Sequence, residues 1–186
     1  AALVGSHVYV VAGQRDKTIQ SATHKVYRLD LSDQAAMWEI LPDMPAQARA
    51  FNQVAAQHDG RSTKLYVFGG RYFQEGGPAD LAFLKDCWVL DPQTGVWQQR
   101  ADSPVPLMAG TAIAFGQSNI VVPAYADSSA LIAMLDSGIP TRDYKHPGFP
   151  KPVYSYHTII DAWAELGDRP ADVANTVTTP AVWWNG

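Results

Sequence analysis

A tryptophan followed seven residues later by a proline occurs three times in this chain, at Trp38–Pro45, Trp97–Pro104 and Trp163–Pro170. With six tryptophans and 13 prolines present, one such pair is unremarkable, but three in the same context are not. Upstream of each tryptophan lies a similar strand-like phrase: "HKVYRLDL" (24–31), "KDCWVLDP" (85–92) and "KPVYSYHT" (151–158). Before the first two stands another near-copy, "HVYVVAG" (7–13) and "KLYVFGG" (64–70). Four residues past each proline a small or apolar strand starts: "RAFNQVAA" (49–56), "MAGTAIAF" (108–115) and "ANTVTTPAVWW" (174–184). A short unit repeated in this way cannot bury its apolar faces alone and must stack on its neighbours.

Each unit reads strand, turn, strand ending in a small residue and glycine, loop, strand ending in Asp, turn, and a strand carrying tryptophan. That is an all-β chain with four strands per unit. The turns have fitting residues, with "HDG" at 58–60, "DPQTG" at 91–95 and "GQSN" at 116–119, because Gly and Asn tolerate positive φ and Pro presets turn entry. The best helical candidate is "ADSSALIAMLDSG" (126–138), and it is short. The repeat tryptophans read as core, each ring needing a small residue opposite if sheets are to pack face to face.

Charge and motifs exclude several classes. The net charge is −4, without the basic face that nucleic acid requires or the basic run that an anionic membrane attracts. No apolar run reaches the ~18 residues needed to cross a bilayer as a helix. The N-terminal "AALVGSHVYVV" has neither the basic start nor the cleavage site of an intact signal peptide. Cys87 is the single cysteine, so no disulfide framework exists. His7, His24, His58, His146 and His157 show no metal-ligand spacing, and no metal is expected. "GGRYFQEGG" (69–77) lacks the Gly-Lys-Ser/Thr of a phosphate loop.

The double glycine (Gly69, Gly70), the Tyr/Trp strand ending in Asp and the later Trp97 resemble the kelch repeat. The resemblance implies a β-propeller of four-stranded blades. The expected blades are 1–46, 47–105 and 106–172, with the start of a fourth at 173–186, together one partial propeller domain over 1–186. Propellers close with roughly four to eight blades, so this would be about half of a six-bladed ring. Either a continuation of the chain or a homodimer of two half-rings would then complete it. The third unit departs most, with "VVPA" (121–124) and His157 where the others have glycine and Asp. Trp183 and Trp184 stand in the fourth unit, where one would be exposed unless further chain covered it.

Within kelch proteins, the stretches 27–70 and 83–115 and the long insertion at 125–150 are similar to the N-acetylneuraminate epimerase (sialic acid mutarotase) family. The resemblance implies interconversion of the anomers of N-acetylneuraminate, a sugar acid. It needs a base at the anomeric hydroxyl, an acid at the ring oxygen and a cation for the carboxylate, a role that suits arginine, with no cofactor. The family's candidate base is a glutamate in the blade that would follow "WWNG", beyond the end of this sequence, so the catalytic residue is unknown here. Candidate substrate-binding residues are Arg49 and Asn52 at the innermost strand of the second blade, Arg71 and Tyr72 after the double glycine, and Arg142 in the insertion. Asp143, Tyr144 and His146 accompany Arg142 in what would be a lid. Met108 and Gly110 would keep the channel wall close, and Thr111 stands where some family members have histidine. The family implies a periplasmic or exported bacterial protein. Two alternatives remain: a non-catalytic kelch module that binds a protein through its loops, and a propeller acting on another carbohydrate.

Overall fold

The computed structural model describes residues 1–140, 142–145, 148–171 and 177. The expected fourth unit (173–186), with Trp183 and Trp184, lies outside the described residues but for position 177, and so does His146. Three four-stranded antiparallel sheets follow one another along the chain. The first is β1 (Ala2–Val4), β2 (His7–Gln14), β3 (Ala22–Asp30) and β4 (Glu39–Leu41), in that order. The second contains β5 (Gln53–His58) and β6 (Thr63–Phe68). A small hairpin, β7 (Arg71–Phe73) and β8 (Leu81–Phe83), interrupts it before β9 (Cys87–Leu90) and β10 (Trp97–Arg100) complete it. The third is β11 (Met108–Phe115) and β12 (Asn119–Ala126), then helix α1 (Ser128–Asp136), then β13 (Pro152–His157) and β14 (Ala162–Asp168). The helix falls within the expected 126–138. The β7–β8 hairpin is an addition that the strand count did not foresee.

Strand β6 shows why the phrase "KLYVF" is apolar without alternation. Side chains alternate across a strand, so Leu65 and Val67 join the cluster facing the first blade while Tyr66 and Phe68 join the cluster facing the third. A strand covered on both faces needs apolar residues at every position. Between blades two and three, Phe68 meets Tyr156 and Trp163 edge-on, with centroids 5.8 and 5.3 Å apart. Such pairs contribute about 0.5–1.5 kcal/mol each beyond burial.

The repeat tryptophans divide. Trp97 packs against the cluster shared with blade one, and Trp163 against the cluster shared with blade two. Each therefore faces the preceding blade. Trp38 is not core: it is 50% exposed, and Leu3 and Ile40 of the same sheet are exposed as well. Its blade has no preceding neighbour among the described residues, so the packing partner that the repeat supplies elsewhere is missing here.

The blades are stitched at their inner ends by equivalent backbone bonds. Gly13 N–H donates to the Arg49 carbonyl at 2.8 Å, and Gly70 N–H to the Leu107 carbonyl at 2.7 Å. Arg49 thus corresponds structurally to Leu107, not to Met108 as proline spacing implies. The contact is close: a Cβ on Gly69 would lie 2.1 Å from the Leu107 carbonyl oxygen, and φ there is +54°. Only glycine fits. Gly110 is similarly confined, a Cβ meeting the Ala124 carbonyl oxygen of the neighbouring strand at 2.1 Å.

Candidate functional site

Where the inner strands begin, the chain bends sharply. Phe51 before β5 has φ +62° and Ala109 in β11 has φ +51°. Ala109 N–H donates to the Phe51 carbonyl at 2.8 Å, which links the two bends. Left-handed backbone at a non-glycine residue costs energy that surrounding contacts must hold in place. Here it aims Phe51 and Ala109 at a cavity of about 190 Å³. Arg71, Met108 and Phe149 line it as well, and α1 closes one side with Ala130, Leu131 and Met134.

Arg71 supplies the positive charge. Its backbone is fixed by two bonds with Ala50, N–H to carbonyl in each direction at 2.9 and 3.0 Å. Its guanidinium carbon lies 4.3 Å from the centre of the Phe51 ring, a cation–π contact. The Nε–H is buried without a hydrogen-bond partner, and among the described residues Arg71 makes no ion pair. Burial without a counter-charge lowers its pKa from the ordinary value. A desolvated guanidinium with an idle donor is suited to an oxyanion.

Arg49 has a different role from the one expected. Its side chain is 0% exposed, and its guanidinium grips Asp86 through both nitrogens at 2.5 and 2.7 Å. It also donates to the carbonyls of Gly69 (3.0 Å) and Gln47 (3.0 Å). A buried arginine already holding a carboxylate offers no face to a substrate. Its position in the fold is that of a clamp, holding Gly69 and so the turn that delivers Arg71.

The other candidates scatter. Asn52 is half-buried and donates to the Val11 carbonyl of blade one at 3.4 Å. The Tyr72 hydroxyl donates to Gln74 Oε1 at 3.1 Å within the hairpin. Arg142 has 85% of its side chain exposed and pairs with its neighbour Asp143 at 3.4 Å; it does not line the cavity. Of the five, the structure brings only Arg71 to the cavity wall.

Sequence reasoning missed Asp127, Phe51 and Met134. Asp127 is the one carboxylate lining the cavity among the described residues. It also caps α1, accepting from Ala130 N–H at 3.5 Å and Ser129 Oγ–H at 2.8 Å. The signal was present, since Asp directly before "SSALIAML" is a helix N-cap pattern. Among the described residues no three His, Cys, Asp or Glu side chains converge to hold a metal ion.

Comparison with known proteins agrees with this architecture. The Kelch motif matches residues 62–104. An N-acetylneuraminate epimerase of Yersinia enterocolitica is 34% identical over 111 residues, covering 60% of this chain and 26% of that protein. An N-acetylneuraminate epimerase of Salmonella typhi is 25% identical over 177 residues, covering 86% of this chain and 44% of the relative. The solved structure of YjhT superposes with a TM-score of 0.68 at 20% identity, over 91% of this chain and 51% of that one; at that identity the likeness speaks for the fold. The chain spans less than half the length of these curated relatives.

Proposed function

For a kelch-repeat β-propeller chain related to the N-acetylneuraminate epimerases, we propose a part in interconverting the anomers of N-acetylneuraminate or a close sugar acid. The observation that carries this is Arg71: an unpaired, half-buried guanidinium beside a cavity at the entry of the inner strands. It would receive the sugar's carboxylate through its planar fork, with the Phe51 ring holding the guanidinium flat. Asp127 would accept from a sugar hydroxyl, and α1 would keep water from that side.

Anomer exchange opens the ring and closes it again. A base takes the anomeric hydroxyl proton while an acid protonates the ring oxygen, the bond between anomeric carbon and ring oxygen breaks, and closure on the other face reverses both transfers. In this proposal the described residues bind and orient. No described residue is assigned the proton transfers.

The test is the exchange rate between α and β N-acetylneuraminate, measured by NMR exchange spectroscopy with the intact protein. We expect saturable acceleration over the buffer-catalysed rate, reduced about 100-fold in kcat/KM by Arg71→Ala, the scale of a lost charge-assisted bidentate contact. Absence of any acceleration would remove the enzyme reading and leave a binding propeller.

A further inference from the structure

A second cavity lies at the other end of the sheets. The inner strand β5 enters near Phe51 and leaves at the 59–62 turn, so a site at that turn faces away from the cavity beside Arg71. Blades that pack at their inner strands part toward their outer ones. Between blades two and three this opens a groove of about 610 Å³, bounded by β10 and by the β5–β6, β9–β10 and β13–β14 turns. That volume is typical of small-molecule sites, roughly 300–1,000 Å³.

Its charges are unevenly matched. Three cations, Arg61, Lys64 and Arg100, line it against two carboxylates, Asp59 and Asp91. Both carboxylates are directed at Lys64, Asp91 at 2.6 Å and Asp59 at 3.9 Å. Asp59 is further occupied by the Arg61 and Ser62 backbone N–H groups, at 2.8 and 2.9 Å. Among the described residues Arg100 donates only to Gln98 on its own strand, at 3.2 Å, and its buried Nε–H has no partner. Beside it lies the hydroxyl of Tyr66, a fully buried residue, with the Thr158 side chain as its neighbour. Neither Arg61 nor Arg100 forms an ion pair among the described residues.

We propose that this rim groove binds a small molecule through an oxyanion, a carboxylate or a phosphate, held by the Arg100 fork and steered by Arg61. An unpaired guanidinium in a half-buried groove costs desolvation energy that an oxyanion would offset. Two fork nitrogens match two oxygens of either group. The Thr94 hydroxyl and the Gln98 amide at the groove's edge can take up hydroxyls of a sugar-like body. This proposal does not depend on the activity proposed above.

The experiment follows the arginine Nε–H resonances of the ¹⁵N-labelled intact protein during titration with inorganic phosphate and, separately, acetate. One Nε–H signal, absent in Arg100→Gln, is expected to shift saturably with at least one anion. Arg100→Gln should weaken that binding about ten- to a hundredfold, the scale of a charge-assisted pair. Saturation by phosphate alone marks a phosphorylated ligand, and by acetate alone a carboxylated one. If Arg100→Gln does not fold, Arg61→Ala on the exposed turn should still weaken binding several-fold. No saturable shift with either anion, or undiminished binding in the variants, overturns the proposal.

Discussion

Arg49 and Arg71 stand in adjacent strand entries with the same side chain and opposite surroundings. Asp86 holds Arg49, whereas no described residue neutralises Arg71. Sequence reasoning placed both at the entry of the inner strands of blade two, and their backbones are bonded there through Ala50 and Gly13. It could not pair Arg49 with Asp86, which lies 37 residues along the chain, because that pairing is set by the docking of two strand ends. The clamp makes a prediction. Asp86→Asn leaves a fully buried guanidinium without its counter-charge and should destabilise the protein by about 3 kcal/mol, measured as a lowered urea midpoint at unchanged m-value. Arg49→Met with Asp86→Leu should recover part of that loss, since replacing both partners leaves no orphaned charge. A loss under about 0.5 kcal/mol for Asp86→Asn would show the pair to be incidental.

The strands were largely legible, because each blade strand carries its own apolar pattern and turn residues. Less legible were the short hairpin β7–β8 and the irregular third blade, where the ladder shifts register twice between Met108 and Ile113. The strand-ending Asp shapes the turn that follows it. Asp30 accepts from Ser32 N–H at 2.9 Å, and Asp91 from Gln93 N–H at 2.9 Å. In blade three, His157 Nδ1 accepts from Ile160 N–H at 3.4 Å. The substitution that looked like a departure from the repeat thus preserves a turn acceptor. The Ser32 hydroxyl and N–H, with the Ser6 hydroxyl, hold the Asp30 carboxyl at about 2, below its ordinary value. Its folded pKa being depressed, the stabilisation is present above the ordinary carboxylate range, about 4, and is lost as pH falls from there toward 2. NMR titration of the Asp30 carboxyl should give a midpoint near 2, and Ser32→Ala should raise it. A midpoint at the ordinary carboxylate value would remove the turn's role.

At the scale of the molecule, the geometry repeats and so makes a demand. Trp97 and Trp163 each bury against the preceding blade, while blade one leaves Trp38, Leu3 and Ile40 exposed on the face turned away from blade two. We propose that a further kelch blade covers this face in the intact protein, as propeller closure requires. Trp38→Ala should then destabilise the intact protein by about 3 kcal/mol, as large-to-small changes at buried aromatics do. An effect within about 0.5 kcal/mol would mean that the face stays in water. The succession of four-stranded sheets was readable from the repeat; the cavity was not, because Phe51, Arg71, Asp127 and Met134 meet only once the inner strands are side by side. The most direct measurement is a crystal structure of the intact protein with N-acetylneuraminate. The account predicts the sugar's carboxylate on the Arg71 guanidinium, with the ring between Phe51 and α1. A sugar bound with Arg71 untouched would contradict it.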